Sequence, residues 1–113
     1  MYRLVPLPEF VRAAKRLRKK YPSLASDLAA LGNELQKNPT QGVHLGRQVY
    51  KIRLAITSKG RGKSGGARVI TLVVHVTTTV YLLTLYDKSD VSTLTDTEID
   101  FLINQAEQFL GSD

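Results

Sequence analysis

Seven basic side chains fall between Arg47 and Arg68: Arg47, Lys51, Arg53, Lys59, Arg61, Lys63 and Arg68. No Asp or Glu occurs from Leu35 to Tyr86. Cations gathered without a carboxylate repel one another, so the arrangement costs stability until an anion supplies the missing charge. Phosphodiester is the natural candidate, because guanidinium groups grip its oxygens bidentately. Such a set can hold a phosphate and stabilise charge that builds up on it. Lys51 and Arg53 lead into a glycine-rich loop that carries Lys59, Arg61 and Lys63, and Arg68 stands where the next strand begins.

Two phosphate-binding patterns lie within this loop, and neither survives its context. Gly60, Gly62 and Gly65 match the spacing of a dinucleotide fingerprint, but that motif needs a helix N-terminus after the loop and here a strand follows. Gly62-Lys63-Ser64 resembles the end of a P-loop, yet Thr57 stands where its first glycine belongs. The glycines read instead as mobility that lets Lys59, Arg61 and Lys63 close on a phosphate. His75 lies within an apolar run and is expected to be a hydrogen-bonded core residue, and His44 has no partner at metal-ligand spacing. Tyr86 and Lys88, at the exit of the last strand, fall either beside Arg68 or at the far end of the sheet.

The elements that would position these residues follow from periodicity. Tyr2–Leu7 is expected to be a short edge strand. Pro8 and Glu9 suit the opening turn of a helix. Phe10, Ala13, Ala14, Leu17 and Tyr21 recur at helical spacing as far as Pro22, with Arg12, Lys15, Arg16, Lys19 and Lys20 opposite. That basic face is ordinarily a solvated one, with at most a supporting role in docking RNA. Leu24, Leu28, Leu31 and Leu35 mark a second helix from about Ser23 to Lys37, joined closely enough to the first to form an antiparallel hairpin. After the polar connection Thr40–Gly46 the period becomes two: Tyr50, Ile52, Leu54 and Ile56 on one face, Val49, Lys51, Arg53 and Ala55 on the other. Ala67–Val76 is apolar on both faces, and Thr77–Thr79 turns the chain into a strand over Val80–Tyr86. Thr95 and Glu98 form a capping box for a last helix with Ile99, Leu102, Ile103, Ala106 and Leu110 as its buried stripe and Gly111 at its end. The order β-α-α-β-β-β-α predicts an α+β fold, an antiparallel sheet with a helical hairpin packed on one face.

The 113 residues, 42% apolar and 23% charged, suit a single domain spanning 1–113. The net charge of +6 is uneven: residues 1–21 carry seven cations against Glu9, whereas 89–113 carry six carboxylates and no Lys or Arg. A basic body fits nucleic acid or an acidic protein partner. The absence of cysteine excludes disulfides and thiolate metal sites. Without a signal peptide or a membrane-length apolar run, a cytoplasmic protein is expected.

The run Gly62-Lys63-Ser64-Gly65-Gly66-Ala67-Arg68-Val69-Ile70, the Lys51-Ile52-Arg53 strand, the Leu85-Tyr86-Asp87-Lys88 strand end and Leu94-Thr95-x-x-Glu98 together resemble the RelE/ParE superfamily of bacterial toxins, in particular its RelE- and HigB-like members. The resemblance covers nearly the whole chain. It implies the toxin of a type II toxin–antitoxin pair, a metal-independent endoribonuclease that cleaves mRNA on the ribosome without a cofactor and is held in check by an acidic antitoxin. By that resemblance Arg68 stabilises the transition state; Lys51, Arg53, Lys59, Arg61 and Lys63 bind the RNA backbone; and Lys88, with Tyr86, serves the leaving group. After Lys88 the chain is acidic or apolar and departs from relatives that complete the site near the C-terminus, so the general base is unassigned. The alternatives are a ParE-like inhibitor of DNA gyrase without ribonuclease activity and a non-catalytic RNA-binding relative.

Overall fold

The computed structural model describes residues 1–60, 62–90 and 93–111, with Leu110 and Gly111 described by their backbone alone. Arg61 therefore lies outside the described residues. The elements are β1 (Arg3–Pro6), α1 (Pro8–Lys20), α2 (Leu24–Lys37), β2 (Val43–His44), β3 (Val49–Leu54), a 3-10 turn (Thr57–Lys59), β4 (Ala67–Val74), β5 (Thr79–Asp87) and α3 (Asp96–Gly111). The local signals act where expected: Pro8 opens α1 with Glu9 in its first turn, and the Thr95 hydroxyl accepts the Glu98 N–H at 3.2 Å while Glu98 accepts the Thr95 N–H at 3.1 Å.

The five strands lie in the order β1-β5-β4-β3-β2. Three neighbouring pairs are antiparallel, but β1 runs parallel to β5, with Arg3 opposite Thr79 and Pro6 opposite Leu82. The sheet is thus mixed rather than wholly antiparallel. β1 and β5 can align this way because α1 and α2 return the chain over the sheet before β3 begins. β2 arises within the stretch expected to be a polar connection. It reaches β3 through a tight turn in which Val49 N–H donates to Gly46 O at 3.0 Å and both central residues, Arg47 (φ 52) and Gln48 (φ 63), are left-handed. Positive φ at both positions matches strand twist but is unfavourable for residues other than glycine and asparagine.

Alternation along the strands separates two cores. On one face Ile52, Leu54, Ala67, Val69 and Leu85 pack against Phe10, Leu24, Leu31 and Leu35 of the helical hairpin. On the other, Val49, Ile70, Leu83 and Tyr86 pack against Leu102, Ile103 and Ala106 of α3. The hairpin covers one face as expected, and α3 occupies the opposite one. His75 departs from expectation: it is exposed on the β4–β5 turn, where Nδ1 pairs with the Tyr2 hydroxyl at 2.7 Å.

Candidate active site

β3, β4 and β5 bring Arg53, Arg68 and Tyr86 into one cross-strand row: Arg53 is the register partner of Arg68, and Arg68 that of Tyr86. Tyr86 and Lys88 are therefore at Arg68's end of the sheet. The neighbouring row, two residues along, is Lys51, Ile70 and Thr84. Because side chains alternate between faces, Lys51 and Arg53 lie opposite Ile52 and Leu54, on the face that α3 partly covers. Two arginines directly across from each other are a destabilising pair.

Arg68 is 5% exposed and already engaged. Its guanidinium donates to three carbonyls of its own loop: Lys63 O at 2.9 Å, Ala67 O at 3.0 Å and Ser64 O at 3.2 Å. A guanidinium has five N–H donors, so two remain for a ligand. The entrance to the loop is tied down by side chains of α2 and of the residue before it. Thr57 donates its N–H and hydroxyl to Asp27 at 2.9 and 2.6 Å, and Ser58 N–H donates to Ser23 Oγ at 2.8 Å, fastening the loop to the start of α2. Gly66 is required for close passage, because a Cβ there would meet Leu54 O at 2.1 Å. That glycine serves packing, not the mobility expected of it.

The cations are not all free. Lys59 is held between α1 and β5, where its ammonium donates to Asp87 Oδ1 at 2.6 Å and Ser89 Oγ at 2.9 Å and lies over the Tyr21 ring. Asp87 also accepts the Tyr21 hydroxyl at 2.6 Å and the Ser89 N–H at 2.9 Å. Burial pushes the Asp87 carboxyl up, but the hydrogen bonds from Lys59, Tyr21 and Ser89 outweigh it and hold the group well below the usual carboxylate range. Arg47 pairs with Asp100 of α3. The expectation that no carboxylate meets these cations is thus corrected at Lys59 and Arg47: their partners, Asp87 and Asp100, come from beyond the acid-free stretch. Among the described residues Lys51, Arg53, Lys63 and Lys88 have no ion-pair partner. Arg53 and Lys63 share a recess of about 190 Å³ at the open edge of β3.

Tyr86 lies under the start of α3, 8% exposed, and its hydroxyl is buried without a hydrogen-bond partner among the described residues. Burial pushes the phenol up, Arg68 opposes this, and Glu98 adds to the rise, so the group is a neutral donor across the physiological range. Beside it Lys51 and Tyr86 border a cavity of about 230 Å³ whose walls include Leu45, Ile70, Leu94 and Ile99, with Asp96 at the first turn of α3. The sequence reading missed Asp96 and the apolar walls. The capping box at Thr95 could have pointed to them, since it places the first turn of α3 in space.

The same architecture occurs in solved structures. A free-state double arginine-to-alanine mutant of the E. coli toxin RelE superposes with a TM-score of 0.56 at 19% identity, covering 80% of this chain and 87% of that one. The isolated E. coli RelE toxin gives 0.56 at 18% identity, over 92% of this chain and 98% of that one. No curated protein matches the sequence. The fold is therefore that of the small α+β toxins. The family model described as the RelE toxin of the RelE/RelB toxin–antitoxin system matches residues 9–113, and the chain belongs to that family. It is a toxin-module protein whose class of partner is an antitoxin. Among the described residues no helix is long and apolar enough to cross a membrane.

Proposed function

We propose that the protein is a metal-independent mRNA endoribonuclease acting on the translating ribosome, with the Arg53–Arg68–Tyr86 row as its phosphate site. The observation that carries this reading is the set of cations that have no ion-pair partner among the described residues, Lys51, Arg53, Lys63 and Lys88, near a guanidinium fixed by its own loop. In the reaction the ribose 2′-OH gives its proton to solvent, its oxygen forms a bond to the adjacent phosphorus and the bond to the 5′-oxygen breaks, leaving a 2′,3′-cyclic phosphate and a 5′-OH. The two free donors of Arg68 and the Tyr86 hydroxyl stabilise the phosphorane oxygens, and Lys88 gives a proton to the departing 5′-oxygen. Lys51, Arg53 and Lys63 hold the backbone in line for attack. Lys59 is assigned to the scaffold instead, because Asp87 neutralises it.

The row contains no histidine or carboxylate, and Asp87 faces the helical hairpin with Tyr21 and Lys59. Catalysis on this reading rests on positioning and on charge stabilisation of the phosphorane. The test is to add purified protein to translating ribosomes and map new 5′-OH ends. Cleavage within codons supports the proposal. Intact mRNA together with inhibited gyrase supercoiling would replace it with the ParE-like alternative.

A further inference from the structure

One cleft of this basic protein is lined by carboxylates and, among the described residues, by no cation. β1 stops at Pro6, opposite Leu82, and Pro8 then opens α1, so no strand flanks β5 beside Thr84. The first turn of α1, β5 and the first half of α3 enclose a cavity of about 420 Å³ there, within the size range of clefts that hold ligands. Its apolar walls are Leu94, Leu102 and Phe101, and Phe101 is 57% exposed although it is a large aromatic side chain.

The polar groups of the cleft are left with capacity to accept. Thr84 borders it, nine-tenths buried, and its hydroxyl has no hydrogen-bond partner among the described residues. A buried polar group in that state costs stability until a ligand pairs with it. Glu98 uses Oε1 for the Thr95 N–H and hydroxyl, and Glu9 uses Oε1 for Arg12 at 3.3 Å. The second oxygen of each carboxylate has no partner among the described residues. Glu98 has no ion pair, and the Arg12 that meets Glu9 is solvated, a contact worth little.

From these features we infer that the cleft receives an arginine side chain from a basic protein segment of the ribosome. A guanidinium has five donors and no acceptor, which suits two carboxylates and a hydroxyl. Its fork engages a carboxylate bidentately while its plane stacks on an aromatic face, the role open to Phe101. An ammonium has neither the fork nor the plane, and the carboxylates repel RNA phosphate. A second copy fits poorly, because exposed arginines such as Arg16 lie outside the cleft and the contact would run head-to-tail without closing. The inference rests on the ribonuclease reading for where the partner is found: on an assembly of RNA and basic proteins, the cations of the sheet take the RNA and this cleft takes the protein.

Two measurements on the full chain separate the inference from that reading. In the first, acetyl-Arg-Leu-Arg-amide, its citrulline analogue and its lysine analogue are titrated by NMR. The wild type should bind the arginine form about ten- to a hundredfold more tightly than the neutral citrulline form, the range of charge-assisted hydrogen bonds, with shifts at Thr84 and Phe101. The lysine form should lie between them. The double variant Glu9→Gln/Glu98→Gln, which keeps an acceptor for the α3 cap, should lose the preference, and Phe101→Ala, an exposed site, should weaken the arginine form. Equal affinity for arginine and citrulline, or a preference that survives the double variant, overturns the pocket. In the second, Phe101→benzoylphenylalanine is photo-crosslinked on translating ribosomes and the attached fragment is sequenced. A ribosomal protein segment containing arginine is expected; attachment to RNA alone, or to a second copy of the chain, overturns the assignment of partner. Arginine-selective binding without any mRNA cleavage supports the pocket and removes the ribonuclease, whereas cleavage by a chain that does not select arginine overturns the pocket and leaves the ribonuclease standing.

Discussion

Lys59 and Asp87 form an ion pair of 2.6 Å, with the lysine side chain 9% exposed and the aspartate fully buried. It joins the start of the glycine loop to the end of β5, and the Tyr21 hydroxyl anchors the pair to the helical hairpin. A cation that the sequence places among the RNA ligands is thereby committed to the scaffold. Removing one member leaves the other charge buried, a loss of about 3–5 kcal/mol. Lys59→Ala and Asp87→Asn should each lower the urea midpoint substantially, and a double-mutant cycle should show strong coupling. An additive cycle would mean that the two side chains are solvated independently.

Acid sensitivity follows from the same carboxylate. Burial pushes Asp87 up and its three donors more than reverse this, so its folded pKa lies below the unfolded value of about 3.9. At Asp27 burial is likewise outweighed, by bonds from Thr57 and Ser23, and the group is lowered. Groups with depressed folded pKa values contribute stability that is fully present above about pH 4 and is lost as pH falls towards the folded pKa. Stability measured from pH 6 down to pH 2 should drop steeply below about pH 4 in the wild type. The Asp87→Asn variant should start lower and fall less.

Arg68 offers a test of shape against charge. Its planar fork reaches three carbonyls and keeps two donors, which an ammonium cannot reproduce. If it stabilises the phosphorane, Arg68→Ala should reduce mRNA cleavage by about a hundredfold or more, and Arg68→Lys should recover little of the loss. Full activity in the lysine variant would show that positive charge alone suffices.

Salt dependence of RNA binding should distinguish free cations from spent ones. Each phosphate contact on a single strand contributes roughly 0.7 to the slope of log affinity against log salt. Lys51→Ala and Arg53→Ala should each reduce the slope by about that amount. Lys59→Ala, compared under conditions where it is folded, should leave the slope unchanged. A reduced slope in Lys59→Ala would return that residue to the RNA face.

Tyr86→Phe should uncouple stability from function. Its hydroxyl is buried without a hydrogen-bond partner among the described residues, so deleting it should leave stability unchanged or raise it by up to about 1 kcal/mol. Cleavage should nevertheless fall, because the lost group is the donor assigned to the phosphorane oxygens. A melting temperature well below wild type would reveal a hidden partner for the hydroxyl.

The parts of this structure legible in the sequence are those decided locally. Pro8, the leucine stripe of α2, the alternation through Lys51 and Arg53 and the Thr95–Glu98 box each act within a turn or two of chain. What the sequence left open depends on register. Tyr86 and Asp87 are adjacent, yet strand alternation puts the first beside Arg68 and the second against Tyr21. No local pattern says which of them faces the site, or that Lys59 reaches back to Asp87 across 28 residues. The parallel partner of β1 was equally hidden, since it lies 76 residues along (Arg3 to Thr79).

That last separation orders events during synthesis. β1 leaves the ribosome first and cannot pair until β5 follows, a delay of about 4–15 s at translation rates of about 5–20 residues per second. β5 lies between β1 and β4 and carries Tyr86, so one late segment both closes the sheet and completes the cross-strand row. A chain interrupted before Thr79 holds most of the cations but lacks the strand that aligns them. The Arg53–Arg68–Tyr86 row is thus assembled only once β5 has been made, several seconds after β1.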